Sequence, residues 1–139
     1  MNKYPESDNA YDLALQLDPD NVAVLNNYAY YLSLRNNKLD KAEKMAKHAN
    51  ELQANVSSYE DTYGWILYRE AKYEEAKKWI EMAITNGAIH NPVILEHFGD
   101  VMYKLGNTDQ AYEYWNKALK EGKGSPLLEK KINDKKLYE

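Results

Sequence analysis

SSYEDTYGWILYREAKYEEAKKWIEMAITN, residues 57–86, reads as two antiparallel helices joined by a tight turn at Ala71-Lys72. Tyr63, Gly64 and Leu67 form the buried stripe of the first helix. Tyr73, Ala76, Ile80 and Ala83 form that of the second, at the spacing of one helix face. The stretch has copies on both sides. Gly64 returns as Gly99 and as Ala29, 35 residues away in each direction. Ala76 returns as Ala111 after 35 residues and as Ala42 before 34. Ala83 returns as Ala118, as Ala49 and, one step further back, as Ala14. A helix pair repeated at this period buries its apolar face only against the next copy, so the expected fold is all-α, an α-solenoid of antiparallel helix pairs.

The period lays out the chain as a single domain, residues 1–139. Residues 5–17 resemble a second helix with no first helix before it. Three full pairs are expected at 22–52, 57–86 and 91–121, and a capping helix at 125–137. Pro19 breaks the leading helix, and Asp20 or Asn21 caps the next. Ser57-Ser58-Tyr59-Glu60 has the form of a capping box. Gly87 is a helix stop, Asn91-Pro92 a cap followed by a first-turn proline, and Asn36-Asn37 a turn one residue longer than its counterparts. In the last helix Leu128 and Ile132 share a face. Lys130, Lys131, Lys135 and Lys136 read as the polar side of a terminal cap.

The chain has 139 residues, 29% charged and 44% hydrophobic, a globular balance. A net charge of −4 disfavours general nucleic-acid binding, which needs a basic face. Cysteine is absent, which excludes disulfides, thiolate metal sites and a cysteine nucleophile. No apolar run approaches the ~20 residues of a membrane span, so direct membrane insertion is not expected. Residues 1–11 are polar and read as no signal peptide.

The repeat units resemble the tetratricopeptide repeat. The segments that carry the resemblance are LNNYAYYL (25–32), EDTYGWIL (60–67) and LEHFGDVM (95–102). Their second-helix halves are AEKMA (42–46), AKKWI (76–80) and AYEYW (111–115). The match covers residues 5–121, with Leu25, Glu60 and Leu95 in place of the family's tryptophan. Its closing proline is present as Pro19, whereas Ala54 and Ala88 stand at the other two positions. The wording of the later repeats is also similar to arrays in bacterial cell-envelope lipoproteins. That similarity implies the envelope or periplasm as part of a longer chain, with the cytoplasm as the alternative.

The resemblance implies a non-enzymatic scaffold whose stacked first helices line a concave groove for a segment of a partner protein. The groove set carried onto this chain is Asn26, Tyr30, Ser33 and Leu34, then Asp61, Trp65, Tyr68 and Arg69, then Glu96, Asp100, Tyr103 and Lys104. Trp65, Tyr68 and Tyr103 are expected to face the groove. Tyr28, Tyr63, Trp79 and Trp115 are assigned to packing. The acidic members would steer basic or mixed segments; the plain reading is solvated surface charge. The alternative function is a structural spacer or a self-association element acting through the leading helix.

Catalysis finds little support. His48, His90 and His97 have no metal-binding spacing, and no nucleophile, phosphate-loop or dinucleotide motif occurs. Neither a cofactor nor a metal is expected. A hidden constellation would need Asp61, His97 and Asp100.

Overall fold

The computed structural model describes residues 4–139; the first three residues of the polar N-terminal stretch lie outside them. Eight α-helices are described: α1 (Tyr4–Leu17), α2 (Val22–Leu34), α3 (Leu39–Leu52), α4 (Ser57–Arg69), α5 (Tyr73–Ala83), α6 (Pro92–Lys104), α7 (Thr108–Glu121) and α8 (Leu128–Asp134). Consecutive helices pair as hairpins α2–α3, α4–α5 and α6–α7, and each hairpin stacks on the next. Among the described residues there is no strand.

Small residues set the hairpin spacing. Ala42, Ala76 and Ala111 are fully buried on the second helices, as are Ala49, Ala83 and Ala118 in or at the end of their last turns. On the first helices Ala29 is fully buried, and Gly64 and Gly99 hold the equivalent places. A Cβ built on Gly64 would stand 2.6 Å from Cγ1 of Ile80. A methyl group there would have to displace the Ile80 side chain, so the close approach favours glycine. Between these contacts Leu32, Ile66, Leu67, Leu95, Met102 and Trp115 fill the seam, each at most 2% exposed.

The ends of the helices follow local chemistry. The Asn21 side chain accepts from the backbone N–H of Val24, and Asn91 accepts from Val93 and Ile94 with Pro92 in the first turn. The expected capping box at residues 57–60 does not form. Val56 is the cap residue of α4, without a side-chain bond, and Glu60 is 1% exposed. Its two oxygens accept from Nδ2 of Asn86 at 3.0 and 2.9 Å. Asn86 is free to reach there because the second helix of this pair stops short of residue 86. It opens into a wide turn, Ile84–Ala88, where Gly87 takes φ 128°. The capping helix is also shorter than expected, because Lys135 turns left-handed at φ 52°.

Within the hairpins, the turns put Asn36, Ala71 and Gly106, each 35 residues apart, at φ 51°, 63° and 85°. Alanine in this region costs roughly 1–2 kcal/mol that glycine avoids, offset partly by glycine's larger unfolded entropy. Ala71→Gly is expected to stabilise the chain by about 0.5–1 kcal/mol in urea denaturation, whereas the same change at an exposed helical alanine destabilises it.

Candidate functional site

The first helices α2, α4 and α6 form the walls of a cleft of 350 Å³ lined by Tyr30, Trp65, Arg69, Val93, His97 and residues of the C-terminal segment. The 35-residue step aligns the expected groove positions as four rows: Asn26, Asp61, Glu96; Tyr30, Trp65, Asp100; Ser33, Tyr68, Tyr103; Leu34, Arg69, Lys104. Their surroundings differ row by row.

Tyr30, Trp65 and Arg69 border the open cleft and are partly buried. The Trp65 ring stacks on His97 at 3.8 Å between centroids and on Tyr68 at 4.5 Å. Nε of Arg69 and Oδ1 of Asn26 are buried with no hydrogen-bond partner among the described residues. Asp61 is buried and accepts from Nδ1 of His97 at 3.0 Å. Its charge is thus neither solvated nor free to steer a ligand.

The expectation that Tyr68 faces an open groove is corrected. It is 3% exposed, and its hydroxyl bonds to Glu139. Glu96 and Asp100 do line the cleft, but each is 3% exposed, covered by the C-terminal segment. Nζ of Lys131 lies 2.7 Å from Glu96 and 2.9 Å from Asp100. The backbone N–H of Ser125 donates to Glu96 at 2.7 Å, and the Trp115 indole donates to Asp100 at 3.0 Å. Ser33 is fully buried, its hydroxyl bonded to the carbonyl of Tyr30. Leu34 is exposed beside a different hollow, lined by Ser7, Asp8, Tyr11, Tyr31 and Arg35. Tyr103 is half-buried and stacks on Trp115, and Lys104 lies 3.9 Å from Glu139.

Of the residues assigned to packing, Tyr28, Tyr63 and Trp115 are buried and Trp79 half-buried. Two residues named in the sequence, His97 and Lys131, lie outside the expected groove set. His97 reads as a lone surface histidine because its partner Asp61 lies one residue off the repeat step. Lys131 reads as part of a solvated lysine cluster, yet it is the fourth member of the row Asn26, Asp61, Glu96, and extending the 35-residue step would have found it.

Burial disfavours the charged imidazole of His97. The charge and hydrogen bond of Asp61, with Asp100 and Glu96 beyond, outweigh it and hold the pKa above 6.5. Burial also pushes Asp100 up to about 6 against the pull of Lys131 and His97. For Glu96, burial is overcome by Lys131 and Ser125, which keep it below 4.5. A base raised in the folded state contributes stability in full below 6.5, and that contribution is lost as pH rises through its folded value. The raised Asp100 makes the fold gain stability as pH falls from about 6 toward 3.8. The Glu96 contribution, present above 4.5, disappears only as pH drops through its depressed folded value. The melting temperature is therefore expected to be higher at about pH 5.5 than at about pH 8, and His97→Gln to flatten part of that slope.

Among the described residues no group of three or more His, Asp or Glu stands where it could hold a metal ion, and no helix is long and apolar enough to cross a membrane. Asp61 and His97 meet, but Asp100 is engaged by Lys131 and Trp115.

A family model for the tetratricopeptide repeat matches residues 10–44. The TPR repeat-containing protein PA4667 of Pseudomonas aeruginosa is 28% identical over 83 residues, 60% of this chain and 14% of that protein. The chain thus spans a small part of the length of that relative. Among solved structures, YrrB, described as a TPR protein with an unusual peptide-binding site, is 25% identical with a TM-score of 0.68, over 80% of this chain and 56% of that one. PilF of Pseudomonas aeruginosa superposes with a TM-score of 0.72 at 22% identity, over 92% of this chain and 62% of that one. The first TPR of Spaghetti (RPAP3), bound to an HSP90 peptide, gives 0.73 at 11% identity, over 82% and 89%; these last two likenesses concern the fold alone. The 35-residue register, the stacked hairpins and these matches together give the chain the fold of a tetratricopeptide-repeat array and support its kinship with that family.

Proposed function

We propose that the protein is a non-enzymatic scaffold that holds a segment of a partner protein in its concave cleft, with Tyr30, Trp65, Arg69 and His97 as the contact residues. The observation that carries this reading is the Arg69 side chain. Its Nε is buried without an acceptor, beside a Trp65 ring that is only partly covered. An arginine and a flat aromatic side by side in a desolvated recess are the residue types that dominate protein-binding energy. The peptide-binding description of YrrB supports the same reading.

Affinity capture with the wild type and the Trp65→Ala, Arg69→Ala double variant tests it. The double variant is expected to keep its helical circular dichroism and to bind a captured partner about a hundredfold more weakly or worse. Equal capture by a folded double variant would overturn the proposal.

A second reading, self-association through the leading helix, is favoured by Leu13 and Leu17, which are 56% and 80% exposed on α1. Light scattering that gives a monomer mass at all concentrations would remove it.

A further inference from the structure

The C-terminal segment stands where the first helix of a fourth pair would stand. α2, α4 and α6 have 13 residues each and are backed by α3, α5 and α7, whereas α8 has only seven. A helix that short has no independent stability in water and is ordered by what it touches. What it touches is a receptor built on the array. Glu96 and Asp100 are one turn apart on α6, and the Trp115 indole on α7 fixes the second of them. Lys131 places its ammonium between them, with bonds of 2.7, 2.9 and 3.0 Å to three carboxylate oxygens. Leu128, one turn earlier, is fully buried, while Glu129 and Lys130 between them are exposed. Beyond α8 the chain crosses the groove, so that Tyr138 and Glu139 line the same cleft as Trp65 and Arg69.

We propose that this end of the groove is a docking site for a helix that presents a lysine one turn after a leucine, and that residues 125–139 occupy it in cis until a partner helix of that chemistry displaces them. Two neighbouring buried carboxylates with no cation carry a severe penalty, so the site requires an ammonium from some source. The cis segment has the advantage of effective concentration, of millimolar order for a short tether, and a partner competes only with the fraction of molecules whose segment is released. The inference rests on the groove reading above and names the ligand class for its distal half.

The test uses the full chain and a fluorescein-labelled peptide of the sequence SPLLEKKINDKKLYE, residues 125–139. Because the protein has no cysteine, single cysteines introduced at the exposed positions Lys47 and Lys136 accept spin labels that report where the segment lies. In Lys131→Met the inter-label distance is expected to broaden and the peptide to bind at least about tenfold tighter than to the wild type. Adding Glu96→Gln and Asp100→Asn to Lys131→Met is expected to abolish peptide binding, as is replacing the peptide's own lysine at position 131 by methionine. Leu128→Ser, which releases the segment from its apolar hold, serves where Lys131→Met fails to fold. An unchanged distance in the released variants, equal peptide affinity in all chains, or binding that survives loss of both carboxylates would overturn the proposal. A partner captured through Trp65 and Arg69 with the segment still in place would do so too, while leaving the groove reading intact.

Discussion

Gly99→Ala is expected to lose about 3 kcal/mol of stability, far more than one methyl group suggests. The added Cβ would stand 2.4 and 2.5 Å from Cδ1 and Nε1 of Trp115, and 3.1 Å from the carbonyl oxygen of Ala111. The indole has no easy retreat. Its ring is fully buried, its N–H is bonded to Asp100, and Tyr103 and Tyr112 pack on it at 5.8 Å. Overpacking of a rigid core costs about 1–3 kcal/mol, and a weakened hydrogen bond to a buried carboxylate about 1.5–3 more. Replacing glycine in a helix returns about 1 kcal/mol. Gly64→Ala is the internal control. Its nearest contact is Cγ1 of Ile80, on a branched aliphatic chain with no polar bond to lose, so about 1 kcal/mol is expected. Urea unfolding followed by far-ultraviolet circular dichroism measures both. Equal losses at the two glycines would mean that the Trp115 hydrogen bond contributes nothing.

Trp115→Ala is expected to cost about 4 kcal/mol, the upper range for removing a fully buried aromatic. The cavity lies between α6 and α7, and the loss of the indole N–H leaves Asp100 with Lys131 as its hydrogen-bond donor. Against a total of about 5–15 kcal/mol for a domain, this change should melt the third hairpin before the first two. Hydrogen exchange would register it as early loss of protection in residues 92–121 with the first hairpin still protected. Uniform loss along the chain would show the array to be fully cooperative.

The hairpins were legible because their causes are periodic. Gly64, Gly99 and Ala29 recur for one steric reason, and so do Ala42, Ala76 and Ala111. What was illegible depends on contacts outside the period. Glu60 satisfies the local pattern of a capping box, but Asn86, released by the early end of α5, draws it inward. Tyr68, Glu96 and Asp100 occupy positions that the repeat leaves open, and a segment after the last full pair covers them. Lys131 was hidden by composition, one lysine among several, although its place in the 35-residue row was there to be read.

The bond between Asp61 and His97 joins the second and third hairpins on the inner side of the curve. One step earlier Thr62 takes the place of His97, and its hydroxyl returns to the carbonyl of Ser58 on its own helix. Straightening a superhelix stretches its inside edge first. Among the described residues, one joint is therefore stitched on that edge by an ion pair and the other is not. Bending should concentrate between the first and second hairpins, which would let the molecule widen its mouth at that end while the far end keeps its shape.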